Sequence, residues 1–333
     1  MCIGRLLLSF VAKQESEKTW RRVVGDSIFR WLVHMHPIPR LAFLMGHTQD
    51  IYTAWAKRNK RKTYIEDIGD NAKLLWILNE KVEEIPSRVI LYLHGGGFYL
   101  PMFEDAASFW RHVQKELKDS HGLDVGVAIL DYSKQNYLHK NLPGLNVPVA
   151  LIPEANFPVP LLQTISAIKH LFSRGVQPSN LLLTGDSAGG NLTIQTLLHI
   201  IHPLPGLPTL SQPTMEEIKL AGAYLMSPWL TLLPRENSSK KCYQENAMWD
   251  VVSPAKLSDF GTGVLSEIKD EKDLAYIDSH FAPSDWYDDM GTVVKRILIT
   301  AGRRECLRED IIKFGQQLER VAHKGDMVVK FGC

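Results

Sequence analysis

The run Leu181-Leu182-Leu183-Thr184-Gly185-Asp186-Ser187-Ala188-Gly189-Gly190 sets a serine in the spacing Gly-x-Ser-x-Gly, between an apolar stretch of strand character and a helical stretch beginning near Asn191. A chain that turns from strand to helix this tightly must pass its own backbone. Gly185 and Gly189 are the residues such a turn requires, and its strain holds the Ser187 hydroxyl outward as a nucleophile elbow. The competing reading, an ordinary glycine-rich turn, does not account for the strand and helix on either side. A second loop, His94-Gly95-Gly96-Gly97, also follows an apolar run. Consecutive glycines let backbone N–H groups approach a ligand with no side chain between them. In acyl transfer the carbonyl oxygen becomes negative and needs such donors; the N–H groups of Gly96, Gly97 and Ala188 are the expected ones, and losing one costs about 3 kcal/mol of barrier. A phosphate cradle would need a Walker Lys-Ser/Thr or a Gly-x-Gly-x-x-Gly spacing, and neither accompanies this loop.

The elements that must position these loops alternate from residue 63 onward. Short apolar or β-branched runs give way to amphipathic helical patterns, the signature of an α/β fold with a mostly parallel central sheet and helices on both faces. Strands are predicted at Leu74 to Leu78, Val89 to His94, Val125 to Asp131, Asn180 to Gly185, Leu220 to Met226, Arg296 to Ala301 and Met327 to Phe331. Two helical stripes, Leu161, Ile165, Ile168 and Phe172, and Ile311, Phe314, Leu318 and Val321, should face the core. Residues 1–60 and about 230–288 lack the alternation. The division expected is therefore an N-terminal cap or membrane-proximal segment at 1–60, then an α/β domain at 61–333 with a cap insertion over 230–288. Such a cap would lie over the carboxyl ends of the strands, where open α/β sheets take their ligands.

Composition narrows the function classes. Hydrophobic residues at 45% and charged residues at 23% are those of a folded globular chain and exclude a disordered one. Lys and Arg number 38 against 37 Asp and Glu, so the chain as a whole has no bulk field for nucleic acid or an acidic membrane. The scattered cysteines Cys2, Cys242, Cys306 and Cys333 form no Cys-x-x-Cys pair, and no metal or other cofactor is expected. The apolar run Leu6 to Ala12 falls far short of a bilayer span. Ile28 to Met45 is apolar but broken by Arg30, His34, His36, Pro37, Pro39 and Arg40. It reads as amphipathic or cap material, which leaves peripheral membrane contact open.

Together, the His94-Gly95-Gly96-Gly97 loop, the elbow Gly185-Asp186-Ser187-Ala188-Gly189-Gly190-Asn191-Leu192, and Pro153-Glu154 with Phe157-Pro158 between them resemble the hormone-sensitive-lipase branch of the α/β-hydrolases over residues 63–333. Within it the chain looks most like the fungal steryl acetyl hydrolases, through its extended N-terminus, Ser227-Pro228-Trp229-Leu230 and the Glu305 region. One departure is that Asp131-Tyr132 and Pro153-Glu154, adjacent in the branch, stand twenty residues apart here and should reshape one wall. The branch carries its catalytic acid after the strand Arg296 to Ala301, in an Asp-Pro-Leu element with which Glu305-Cys306-Leu307 aligns. That implies Glu305, with Glu309 and Asp310 as rivals better suited to the first turn of a helix starting near Arg308.

The resemblance also implies a catalytic histidine on a loop after the last strand, yet only Gly332 and Cys333 follow Phe331. The expectation is a chain cut short of its histidine and weakened as an enzyme. His323 and His280 are poor substitutes by position. Two functions follow from the resemblance. The first is serine-dependent hydrolysis of a small apolar ester, such as a steryl acetate, within lipid metabolism, with the aromatic residues Trp229, Trp249, Trp286, Tyr287 and Phe281 suited to a large apolar alcohol. The second is a non-catalytic module binding an apolar ligand, as in the plant gibberellin receptors. The resemblance suggests the endoplasmic reticulum, lumenal or membrane-associated, with the cytoplasm as the alternative. Glycosylation at Asn237-Ser238-Ser239 would discriminate between them.

Overall fold

The computed structural model describes residues 19–79, 85–132, 156–210, 218–323 and 327–332. Three helices lead the described residues: α1 (Trp20–Met35), α2 (Ile38–Met45) and α3 (Thr48–Arg58). There follow β1 (Tyr64–Asp67), β2 (Lys73–Ile77), β3 (Val89–Leu93), α4 (Glu104–His121), β4 (Gly126–Asp131), α5 (Val159–Ser173), β5 (Leu181–Asp186), α6 (Ala188–Ile201) and β6 (Gly222–Met226). The remainder holds α7 (Asn237–Asn246), α8 (Pro254–Leu265), the short α9 (Leu274–Ile277) and α10 (Met290–Val293), then β7 (Arg296–Thr300), α11 (Arg308–Ala322) and β8 (Val328–Gly332). The insert between Tyr132 and Pro153, and Pro153-Glu154 themselves, lie outside the described residues.

All eight strands join one sheet in the order β1-β2-β4-β3-β5-β6-β7-β8. The β1/β2 and β2/β4 pairs are antiparallel and the other five are parallel. Every residue of β3 is buried, as a parallel strand covered on both faces requires. Each of the seven apolar runs lies on a strand. β1, at the sheet edge and mostly exposed, has no apolar run to betray it.

The pleat sends alternate side chains to opposite faces. Leu74 and Trp76 enter one core, with the α5 stripe (Leu161, Ile165, Ile168, Phe172) and the α11 stripe (Ile311, Phe314, Leu318, Val321). Leu75 and Ile77 enter the other, where α3 and α4 lay Tyr52, Trp55 and Trp110 on Ile90, Tyr92 and Ile129. α3 is thus a covering layer of the sheet, although it falls in the stretch read as a cap.

The 230–288 stretch divides between two places. Its first part meets the N-terminal helices: Arg30 of α1 donates to the carbonyls of Asp250 and Ala247, and Lys256 of α8 donates to the carbonyl of His36 (3.2 Å). Ser253 caps α8 by accepting from the Lys256 N–H, with Pro254 in the first turn. Its second part packs against α6, where Tyr276 donates to the His202 carbonyl (2.8 Å) and Asn191 to that of Ile277 (2.6 Å). Among the described residues no helix is long and apolar enough to cross a membrane.

Candidate active site

Ser187 occupies the single residue between β5 and α6, with φ +50° and ψ −115°. A non-glycine residue holds such a backbone only when its surroundings over-determine it. Here three hydrogen bonds do so. Its N–H donates to the Met226 carbonyl (3.0 Å), and its carbonyl accepts from the N–H groups of Asn191 (3.1 Å) and Trp229 (2.9 Å). A Cβ on Gly189 would overlap the Leu93 carbonyl, one on Gly185 the backbone of Gly189, and one on Gly190 would lie 2.8 Å from Pro228. The glycine spacing is therefore a steric requirement of packing β5 beside β3. The half-buried Ser187 hydroxyl makes no hydrogen bond to another described residue.

The glycine loop after β3 lies against this elbow. Asp186 accepts from the Gly95 N–H (2.9 Å) and the Tyr92 hydroxyl (2.5 Å). Burial pushes the Asp186 carboxyl above the usual range, and these two donors work against that rise. His94 is wholly buried. Its Nε2 meets Thr48 Oγ1 of α3 (3.2 Å), its Nδ1 meets the Gly95 carbonyl (2.7 Å), and its ring stacks on Tyr132. The imidazole of the motif thus pins the start of the loop. Gly96 (φ +115°) and Gly97 (φ +63°) take conformations suited to glycine. The Gly96 carbonyl is consumed by the N–H groups of Tyr99 and Leu100. Among the described residues no acceptor meets the N–H groups of Gly96, Gly97 or Ala188.

Glu305 lies in the turn between β7 and α11. Its carboxylate accepts from the Gly302 N–H (2.5 Å) and from the Ser227 hydroxyl, and its carbonyl accepts from Asn246 of α7 (3.2 Å). Burial pushes its carboxyl up to about 7, the hydrogen bonds from Ser227 and Gly302 pull it back, and the nearby Asp250 charge adds to the rise. Ser227 follows Met226, the residue to which Ser187 donates, so Ser187 and Glu305 are joined through the end of β6. The rivals turn elsewhere: Glu309 pairs with Arg308, and Asp310 accepts from Ser239 of α7. His280 is exposed, edge-on to Phe281, and His323 ends α11. Among the described residues no histidine hydrogen-bonds to Ser187 or Glu305.

Sequence reasoning missed the residues that support the Glu305 turn. Asp250 accepts from the Cys306 N–H (2.7 Å) and Asn246 holds the Glu305 carbonyl; their only signal was membership of a stretch without alternation. The aromatic residues expected around a substrate have these neighbours. Trp229 and Tyr287 are buried, Trp286 stacks on His202, Phe281 lies under Arg235 and Trp249 under Arg304. A cavity of about 400 Å³ has other walls, among them Arg30, Trp31, Val33 and Met35 of α1 with Met248 and Val251. Among the described residues no cluster of three side chains suits a metal ion.

Comparison with known proteins agrees with this architecture. A solved esterase of the bacterial hormone-sensitive lipase (HSL) family superimposes with a TM-score of 0.60 at 18% identity, covering 92% of this chain and 87% of that one. An HSL homologue from a metagenome library gives a TM-score of 0.61 at 16% identity, covering 92% and 86%. A curated protein of Acinetobacter venetianus named "Esterase" is 22% identical over 240 residues, which span 72% of this chain and 64% of that relative, just under two thirds of its length. The family profile described as the alpha/beta hydrolase fold matches residues 145–331. That match takes in more than half of the sequence, and the strand order beneath it is that of one mostly parallel sheet, so the chain belongs to the alpha/beta hydrolase fold family.

Proposed function

We propose that this chain is a serine-dependent carboxylic ester hydrolase of the hormone-sensitive-lipase branch. In this reading the Ser187 Oγ attacks the acyl carbonyl, the N–H groups of Gly96, Gly97 and Ala188 receive the oxyanion, and Glu305 is the acid that would orient a histidine base taking the serine proton, a role no described histidine fills. The observation that carries it is a strained serine beside a glycine loop whose N–H groups meet no acceptor among the described residues. Two of the similar proteins carry the name esterase, which points the same way. The resemblance of the extended N-terminus, the Ser227–Leu230 segment and the Glu305 region to steryl acetyl hydrolases favours a short acyl group such as acetate on an apolar alcohol, with sterols as the class to try first.

Release of p-nitrophenol from its acetate by the purified chain, together with labelling by a fluorophosphonate, tests the nucleophile. Ser187→Ala is expected to lower the rate sharply, to what the oxyanion donors alone supply, and to abolish labelling. Turnover unchanged by that substitution refutes the assignment. A second reading, a non-catalytic module for an apolar ester, draws on the lack of a histidine bonded to Ser187 or Glu305 among the described residues. Saturable binding without turnover is its signature.

A further inference from the structure

Fourteen large hydrophobic side chains are exposed among the described residues, and six of them fall between residues 20 and 45. Trp20, Ile28, Trp31 and Met35 of α1 recur at spacings of eight, three and four, which at 3.6 residues per turn sets them within about a quarter of the helix circumference. α1 buries Val23, Ser27 and Val33 on a different side. It therefore carries one stripe turned to the protein and a second turned to solvent. Phe43 and Leu44 extend the exposed set onto α2, and Met248 adds to it from the turn after α7.

The surroundings of this face are basic. α1 and α2 hold four arginines, Arg21, Arg22, Arg30 and Arg40, against one acid, Asp26, in a chain whose total is nearly balanced. Arg21, Arg22 and Arg40 are exposed on α1 and α2 themselves. An exposed apolar stripe carrying tryptophans and flanked by arginine is the composition of a helix that lies in a lipid interface, with rings at the headgroup level and cations at the phosphates. The cavity of about 400 Å³ adds an orientation: Trp31, Met35 and Met248 line it and are also exposed, so it opens onto this same face. Its Val251 neighbours Asp250, whose carboxylate holds the Cys306 N–H beside Glu305.

We infer that the outer face of α1 and α2 docks on an anionic lipid surface and turns the cavity mouth toward it. The docking stands without any enzymatic activity. That the cavity then receives the apolar part of a lipid ester rests on the ester-hydrolase reading.

Co-sedimentation of the full chain with vesicles tests the docking, using phosphatidylcholine alone and phosphatidylcholine with a third of its lipid replaced by phosphatidylserine. The chain is expected to sediment with the phosphatidylserine vesicles, and less so as salt is raised. The triple change Arg21→Gln, Arg22→Gln, Arg40→Gln should weaken binding about 100-fold, at about fivefold for each basic residue near the surface. Ile28→Ser, Phe43→Ser and Leu44→Ser together should abolish it, at about tenfold or more each, while far-ultraviolet circular dichroism and p-nitrophenyl acetate turnover stay as they were. Ser187→Ala should sediment like the unaltered chain, so loss of the enzymatic reading leaves this result intact. Three results would overturn the inference: no sedimentation with either vesicle, full sedimentation of the apolar triple variant, or a lipid-free dimer that this variant dissociates, which would assign the face to a second copy.

Discussion

Glu305 is held where burial opposes the charge its proposed role needs. Its carboxyl is pushed from an ordinary 4.5 up to about 7, so between those values the folded protein keeps a proton that the unfolded chain releases. Folding is therefore favoured as pH falls through that window and penalised above it. Glu305→Gln removes the penalty and should stabilise the protein by up to ~3 kcal/mol near pH 8, with no gain near pH 4; thermal melts at the two pH values would show it, and a lower midpoint near pH 8 would contradict it. Gly189 responds oppositely, because its missing Cβ is space already filled by the Leu93 carbonyl. Gly189→Ala is expected to destabilise by more than about 4 kcal/mol, read as loss of soluble protein or a collapsed urea midpoint. The two residues differ in legibility for the same reason. A steric requirement for glycine is local and shows in the spacing, whereas of the bonds that fix Glu305 only the one from Gly302 is local; those from Ser227 and Asn246 come from far away in the sequence, and no local pattern announces them.

At the scale of elements, the Glu305 turn is held from the N-terminal helix. Arg30 of α1 donates to the carbonyls of Asp250 and Ala247, Asp250 in turn accepts from the N–H groups of Val252 (3.0 Å) and Cys306 (2.7 Å), and Asn246 reaches the Glu305 carbonyl. Arg30→Ala should lower stability by about 1–3 kcal/mol through its two abandoned carbonyls. It should also slow ester turnover without raising KM in proportion; unchanged kcat would show that the turn holds its shape without α1. The strands were legible because each is an apolar run between breakers, and the helices α5 and α11 because their stripes repeat. β1 and the division of the 230–288 stretch were not. An exposed edge strand needs no apolar pattern, and whether a short helix such as α9 covers α6 or caps the sheet depends on contacts made after the chain has folded.

For the molecule as a whole, near-zero net charge concealed a segregation, with the basic excess gathered in the helices before the sheet. The far edge of that sheet has its own exposure: among the described residues β8 pairs only with β7, and its Val328 is 47% exposed. An apolar residue on an open edge invites pairing between copies. Val328→Lys should slow aggregation on heating, followed by light scattering, while moving the thermal midpoint by less than about 2 °C. The elbow lies far from either edge, and there the three backbone bonds to Ser187 acquire another meaning. Loops that carry reactive groups usually exchange their amide hydrogens early. Here the N–H of Ser187 is tied to β6, and its carbonyl holds the N–H groups of Asn191 and Trp229. These three amides can exchange only when the centre of the sheet opens, so deuterium should enter the Ser187 turn about as late as it enters β5, and the strain at Ser187 is kept by rigidity.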